Sequence, residues 1–230
     1  MSERPGMIAI GLVKIALGMA AVGALLNAIA GTWSWGAAWM LALVSAVALA
    51  AMALGLAQRN PALFAERLAP PFRGAAQPLW DKIAIGLIFA TMGLWLVIPG
   101  IDVYRLGLSR MPFGLQVFGV FGVLAGIRVM YLALVHNPNL LPDVEVRTGA
   151  RLADTGPYAW VRHPYYAGFI AFYAAASCLL GSWLALAWTG VIATVFAWRS
   201  LREEEVLRKD LDGYAAYCAK TRFRLIPGLW

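Results

Sequence analysis

The sequence predicts an all-α integral membrane protein: a multi-pass transmembrane helical bundle of about six spans, including a C-terminal helical hairpin, followed by a cytoplasmic amphipathic helix. Of its 230 residues, 61% are hydrophobic and only 13% are charged, whereas soluble domains average about 45–50% apolar and about 25% charged residues. Four apolar runs are long enough to cross the ~30 Å hydrocarbon core once, and a fifth is long enough to cross it twice. These observations exclude a disordered chain, a disulfide-stapled secreted module and a typical cytosolic enzyme.

The four single spans are predicted at residues 7–30, 35–57, 83–101 and 113–135. Each contains about the 20 apolar residues that a membrane-crossing helix needs. The spans are rich in Ala and Gly, and Gly122 and Gly126 form a GxxxG pair that is typical of closely packed membrane helices. We therefore predict an N-terminal region, residues 1–135, with four spans and a cytoplasmic loop at 58–82.

The fifth apolar run, residues 165–198, is too long for one span. A turn signal, Leu180-Gly181-Ser182-Trp183, lies at its middle, where two spans would meet. The run is therefore predicted to fold as a helical hairpin. With the cytoplasmic loop before it and the helix after it, the hairpin (164–198) forms a predicted catalytic region at residues 136–230.

The polar segment after the hairpin is predicted to form a separate amphipathic helix over residues 199–220. One apolar stripe recurs at helical spacing through Leu207, Leu211, Tyr214 and Cys218. The same stripe extends backwards to Glu203 and Arg199. An acid and a base four residues apart on an apolar face are expected to pair with each other or with a ligand; an exposed surface pair is the alternative.

The distribution of Lys and Arg predicts the orientation of the bundle. With a cytoplasmic N-terminus, fifteen of these residues lie in the inner segments and only Arg105 and Arg110 lie in the outer ones. Because cytoplasmic segments of membrane proteins are enriched in Lys and Arg, both termini are predicted to be cytoplasmic. The same rule explains the net charge of +7 without a nucleic-acid partner. The three polar cytoplasmic pieces are where a site for a water-soluble cofactor is expected.

Cysteine and histidine give no indication of a metal site or a disulfide framework. Cys178 and Cys218 have neither disulfide-scaffold nor metal-ligand spacing. His136 and His163 are isolated from each other in the sequence. We therefore predict a site without a metal.

The C-terminal region carries a combination of motifs with the character of a family signature. In chain order they are Gly156-Pro157-Tyr158, Val161-Arg162-His163-Pro164-Tyr165-Tyr166-Ala167-Gly168, Arg199-x-x-x-Glu203-Glu204, Gly213-Tyr214-x-x-Tyr217 and Arg222-x-Arg224. This order resembles the isoprenylcysteine carboxyl methyltransferase family and its relatives, the phospholipid N-methyltransferases. The upstream segments Arg59-Asn60-Pro61 and Trp80-Asp81-Lys82 also resemble bacterial members. The resemblance is sharp over residues 137–230 and faint before them.

The resemblance implies an integral membrane methyltransferase that uses S-adenosyl-L-methionine and releases S-adenosyl-L-homocysteine. It implies that the cofactor lies between the hairpin and the C-terminal segment, that Arg199 faces the reacting centre, and that Glu203 contributes to catalysis. The cofactor-binding residues expected from motif and chemistry together are Tyr158, Arg162, His163, Pro164, Tyr166, Gly168, Glu203 and Glu204. Tyr165 departs from the family, which usually has a small or aliphatic residue there, and is expected to narrow the pocket.

Physical chemistry supports several of these roles. Pro164 suits the first turn of a helix, and the positive end of that helix, with Arg162 beside it, would attract the cofactor's carboxylate. The tyrosines could pack an adenine ring, and Glu203 or Glu204 could accept hydrogen bonds from ribose hydroxyls. Gly168 would allow a ligand to approach closely.

The acceptor and two rival functions stay open at this stage. Methyl transfer to a carboxylate, as in isoprenylcysteine, needs a cation such as Arg199 to hold it, whereas a phospholipid amine would need Glu203 to take its proton. One rival is an NADPH-dependent sterol-type reductase, which shares the Arg-His-Pro segment but usually has Asn after it. The other is a transporter or scaffold, suggested by Arg128 inside the fourth span. The expected partners are the bilayer and a lipophilic or lipidated acceptor, in the inner membrane of a bacterium or the endoplasmic reticulum of a eukaryote.

Overall fold

The computed structural model describes residues 3–68, 78–137, 140 and 152–230, and within these residues the chain is helical with no β-strand. The α-helices are α1 (Glu3–Ala30), α2 (Gly36–Arg59), α3 (Pro61–Leu68), α4 (Leu79–Gly100), α5 (Phe113–His136), α6 (Pro164–Leu180), α7 (Trp183–Asp210) and α8 (Tyr214–Lys220). A π-helical turn, Ile101–Arg105, follows α4, and a 3₁₀ turn, Gly156–Ala159, precedes α6. Residues 69–77 of the predicted loop at 58–82, and residues 138–139 and 141–151 of the segment before the hairpin, lie outside the described residues.

The predicted membrane bundle is confirmed. In the part of the chain that the structure describes, five helices (α1, α2, α4, α5 and α7) are long and apolar enough to cross a membrane. The sixth, α6, is apolar but has 17 residues, which corresponds to about 25 Å of helix. Helix α6 is shorter than the other five because it begins inside the protein, at buried Pro164, rather than at the surface.

The predicted hairpin is present as α6 and α7, which are joined at Gly181 and Ser182. Gly181 has a left-handed backbone conformation, with φ at 79°, that glycine adopts without steric cost. The Ser182 side chain caps α7 by accepting a hydrogen bond from the Ala185 amide. Buried Asp102 fixes the turn, because its Oδ2 accepts hydrogen bonds from Ser109 Oγ at 2.6 Å and Ser182 Oγ at 2.5 Å.

The predicted separate helix at 199–220 is wrong in its boundaries. Helix α7 continues through residue 198 to Asp210, because no residue there interrupts the helix, and the break comes at Gly213, with φ at 81°. The predicted stripe is therefore divided between the end of α7 and the short helix α8. Its members still meet, since Leu207, Leu211 and Cys218 pack against the cluster around Tyr214.

Helices α5 and α6 pack closely because glycines line their contact. A Cβ atom on Gly119 would lie 2.5 Å from the Leu179 amide nitrogen, and one on Gly126 would lie 2.8 Å from the Phe172 amide nitrogen. On α6, a Cβ on Gly168 would lie 2.8 Å from Met130 Cγ. The predicted role of small residues in helix packing is thus supported at Gly126.

Apart from Asp102 at the hairpin turn, the buried charged residues that the structure describes lie at one end of the bundle, which we call the polar end. It is the end at which α4 and α6 begin and to which the C-terminal part of α7 extends. Buried Asp81 on α4, Arg162 before α6, and Arg199 and Glu204 on α7 all lie there. The fold therefore brings distant sequence segments together around one polar cluster.

Candidate active site

The C-terminal tail is fastened to the segment that precedes α6. The Arg162 amide donates to the Phe223 carbonyl at 2.9 Å, and the His163 amide donates to the Arg224 carbonyl at the same distance. Helix α6 then begins at Pro164, in the first-turn position where a missing N–H costs nothing. These contacts fix the His163 and Arg162 side chains beside α7.

Glu204 is the centre of a buried charge cluster. Its carboxylate accepts two hydrogen bonds from Arg162, from Nε at 2.7 Å and from Nη2 at 3.3 Å. Arg224 Nε lies 3.2 Å and His163 Nε2 lies 3.3 Å from the same carboxylate oxygen. A buried carboxylate is stable as an anion only with such partners, so Glu204 ties α7 to both the pre-α6 segment and the tail.

Arg162 is engaged on both sides of its guanidinium. In addition to Glu204, it donates from Nη1 to the carbonyls of Thr221 at 3.0 Å and Arg222 at 3.1 Å. These contacts use the planar fork of the side chain to hold the tail in place. We therefore no longer assign Arg162 to the carboxylate of a cofactor.

His163 and Tyr166 form a stacked pair over Glu203. Their rings are nearly parallel, with centroids 5.5 Å apart. Tyr166 Oη donates to Glu203 Oε2 at 2.6 Å, and His163 Nδ1 lies 3.7 Å from the same oxygen. The predicted site residues Glu203, Glu204, His163 and Tyr166 are therefore brought together.

Arg199 forms its ion pair with Asp81, a residue that our sequence analysis did not assign to the site. Asp81 Oδ1 lies 3.0 Å from Arg199 Nη2 and accepts from Nε at 3.1 Å. Asp81 is fully buried, and the Arg199 guanidinium lies 5.7 Å from the centre of the Tyr166 ring. The predicted pairing of Arg199 with Glu203 is replaced by this pairing, while Glu203 accepts from Tyr166.

A cluster of tyrosines packs α8 against the segment before α6. Tyr158, Tyr214 and Tyr217 are buried together with Ala133, and Tyr217 Oη donates to the Tyr158 carbonyl at 2.7 Å. Burial raises the pKa of all three phenols, so the hydroxyls stay protonated at neutral pH. Within the described residues, the buried Tyr214 hydroxyl has no hydrogen-bond partner.

One other predicted role changes with the geometry. Gly168 faces Met130 and Gly126 of α5, so the close approach that it permits is that of a helix. We therefore remove Gly168 from the ligand-facing set. Tyr165 packs edge-on against Phe169 at 5.2 Å, with the Arg67 guanidinium 5.6 Å from its ring centre.

Comparison with known proteins identifies this arrangement. Residues 120–209, from within α5 almost to the end of α7, match the model of the isoprenylcysteine carboxyl methyltransferase (ICMT) family. The chain is similar to this family over that stretch. It is an integral membrane methyltransferase, and the match spans Arg162, His163, Arg199, Glu203 and Glu204. No curated protein sequence matches the chain.

The fold is also that of a solved member of the ICMT family. The structure of the eukaryotic intramembrane Ras methyltransferase ICMT, solved without a monobody, is 18% identical to this chain, with a TM-score of 0.57. The alignment covers 92% of this chain and 74% of the other. Because so little of this chain is left uncovered, the similarity in fold extends into the N-terminal spans, which the family match does not reach.

Proposed function

We propose that this protein is a member of the ICMT family and transfers the methyl group of S-adenosyl-L-methionine to the carboxylate of a lipophilic acceptor of the isoprenylcysteine type. The observation that carries the proposal is the buried Arg199–Asp81 pair next to Tyr166 and Glu203. It sets a fixed cation at the polar end of an apolar bundle. An acceptor with an anionic head and a hydrocarbon tail matches this arrangement.

The residues present fit the methyl donor. When bound, S-adenosyl-L-methionine supplies a methyl group on a positively charged sulfur. Glu203 and the stacked rings of His163 and Tyr166 offer the negative charge and aromatic faces that attract such a cation. In the neighbouring tyrosine cluster, the buried Tyr214 hydroxyl, which has no hydrogen-bond partner among the described residues, offers a hydrogen bond to a ligand.

Arg199 is proposed to hold the acceptor carboxylate. Asp81 contacts both Nε and Nη2 of Arg199, so it fixes the plane of the guanidinium. A carboxylate oxygen that attacks the methyl carbon forms an ester bond, while the sulfur keeps the electron pair of the bond that breaks. No proton moves, so the chain needs to align the partners and exclude water rather than supply a base.

The cytoplasmic orientation of the polar end is part of the proposal. Fifteen of the nineteen Lys and Arg residues lie in the segments assigned to that side, and two lie in those assigned to the other. A cytoplasmic site has direct access to a water-soluble methyl donor. The hydrocarbon tail of the acceptor would reach the same site through the bilayer.

Binding and turnover on the purified protein test this function. Calorimetry in detergent should show micromolar binding of S-adenosyl-L-homocysteine and none of NADPH. Binding should be lost in His163→Ala and Glu204→Ala. It should be retained in Arg202→Ala, because the Arg202 side chain is exposed although it lies next to Glu203 in the sequence. NADPH binding without S-adenosyl-L-homocysteine binding would support a reductase instead.

Radiolabelled methyl transfer then distinguishes the acceptors. We expect label on an S-farnesylcysteine analogue with a free carboxylate and none on its preformed methyl ester. Label on phosphatidylethanolamine in place of the farnesylcysteine analogue would contradict a carboxylate acceptor and would assign proton removal to Glu203.

A further inference from the structure

The polar network of the active site does not include Arg128, a cation on the lipid-facing side of α5. Arg128 is exposed and lies eight residues before His136, the last residue of the helix, which is about 12 Å along the axis. Its guanidinium lies 5.2 Å from the ring centre of Tyr131, towards the polar end. Among the described residues it forms no ion pair. An unpaired arginine at this depth is a candidate for function.

A groove between α2 and α5 begins at this arginine. It has a volume of about 280 Å³. Its walls are formed by Ala48, Ala51 and Met52 of α2 and by Leu124 and Ile127 of α5, with Arg128 and Tyr131 beside them. The alanines leave room between the helices, so the groove combines an apolar channel with one guanidinium.

A second cation lies above the groove. Arg59, the exposed last residue of α2, follows Met52 by seven residues and therefore shares its helix face. Gly55 sets the register of the two helices, because a Cβ at that position would lie 2.6 Å from Tyr131 Oη. From this register, Arg59 lies about 10 Å nearer the polar end than Arg128, within the combined reach of two arginine side chains.

We propose that this groove binds one anionic phospholipid, with its phosphate between Arg128 and Arg59 and an acyl chain along Ala48 and Ala51. Basic pockets between transmembrane helices on the cytoplasmic side of a membrane bind anionic headgroups, and the cytoplasmic leaflet is negatively charged. None of the described residues that line the groove is acidic, so the two cations match a phosphodiester with a net negative charge. The site is separate from the acceptor site at Arg199.

Thermal stability in neutral detergent micelles tests this proposal. Phosphatidylglycerol should raise the melting temperature of the wild-type protein, since a ligand that binds only the folded state stabilises it by mass action. Phosphatidylcholine should give no comparable rise. In Arg128→Gln the shift should fall by at least half. Arg202→Gln, which removes the same charge from an exposed position on α7, should keep the full shift.

A second variant keeps both cations and fills the groove. Ala51→Phe should also lose the shift, and native mass spectrometry should show no retained phosphatidylglycerol on it while the wild type retains one molecule. This variant decides the matter if Arg128→Gln does not fold. An equal phosphatidylglycerol shift in Ala51→Phe or Arg128→Gln, or an equal effect of phosphatidylcholine, would overturn the proposal.

Kinetics with the methyl acceptor provide a further test of the proposal. If Arg128→Gln raised the KM for the farnesylcysteine analogue at least tenfold and left the phosphatidylglycerol shift intact, the groove would serve the acceptor and the lipid proposal would be wrong. The lipid measurements do not depend on methyl transfer, so a failure of the proposed function would leave their outcome readable.

Discussion

At the scale of single residues, Arg199 is the side chain on which the carboxylate acceptor depends. It is buried, paired with Asp81 and placed over Tyr166. In Arg199→Ala we expect turnover to fall by about 100-fold or more, the effect of removing one preorganised electrostatic contact. The Kd for S-adenosyl-L-homocysteine should change little, because the contact belongs to the acceptor. Single-turnover kinetics and calorimetry measure the two quantities separately.

The conservative variant provides the control for this prediction. Arg199→Lys keeps a cation but loses the planar fork, so it should recover only part of the turnover. Near-normal turnover in Arg199→Ala would show that another group holds the acceptor.

Asp81 is predicted to act by positioning Arg199. In Asp81→Asn the Arg199 cation stays buried without its counter-charge, which typically costs about 3–5 kcal/mol of stability. The double variant Asp81→Asn/Arg199→Met removes both charges and should recover much of that stability while remaining inactive. Thermal denaturation and activity assays on the wild type, Asp81→Asn and the double variant check this. If the double variant were as unstable as the single one, Asp81 would have a role that is independent of Arg199.

The sequence predicted which residues lie together in the candidate site better than it predicted their pairings. The acids, the histidine and the tyrosines were identified because their motif is compact and ordered. The Arg199–Asp81 pair joins residues 118 positions apart, and helix periodicity offers only the partner four residues along. The roles predicted for Arg162 and Gly168 differ from their observed contacts for the same reason. The tail that contacts Arg162 and the helix α5 that contacts Gly168 are both distant in the chain.

At the scale of elements, the contact between α5 and α6 is predicted to depend on glycine. Gly119 lies far from the active site and its added Cβ would meet backbone atoms of Leu179, which have no room to move. Gly119→Ala should therefore lower stability by about 1–3 kcal/mol, as overpacking does. Thermal denaturation in one detergent measures the change.

Gly86 on α4 is the matched control. It is exposed, and a Cβ there would meet nothing within 4 Å. Gly86→Ala should be neutral or stabilising by up to about 1 kcal/mol, through helix propensity alone. Equal effects at the two positions would mean that the α5–α6 contact is looser than the structure shows.

Helix positions were predictable where length and composition decide them. The apolar runs predicted the five helices that are long enough to span a membrane and the shorter apolar helix α6, and Gly181 predicted the turn of the hairpin. The end of α7 was not predictable in the same way, since a change from apolar to polar residues at 198 marks the membrane boundary and not a helix end. The Asp210-Leu211-Asp212-Gly213 segment, with its C-terminal glycine, was the more reliable stop signal.

At the scale of the whole molecule, we predict an even number of spans, which would place both termini and the candidate active site on one side of the membrane. Helices α1, α2, α4, α5, α6 and α7 alternate in direction if each crosses once. Arg110, exposed between α4 and α5, then faces the opposite side from the exposed Arg202 on the polar extension of α7. The asymmetry of fifteen to two in Lys and Arg predicts that the Arg202 side is cytoplasmic.

Cysteine accessibility tests this topology in intact cells. In a background with Cys178→Ser and Cys218→Ser, an impermeant maleimide should label Arg110→Cys from outside and should label Arg202→Cys only after the membrane is permeabilised. We expect this result because Lys and Arg favour the cytoplasmic side, and only two of these residues lie in the segments assigned to the outside. Labelling of both positions from outside would require an odd number of spans, so that α6 would not cross the membrane. Labelling of Arg202→Cys alone would invert the bundle and move the site away from its methyl donor.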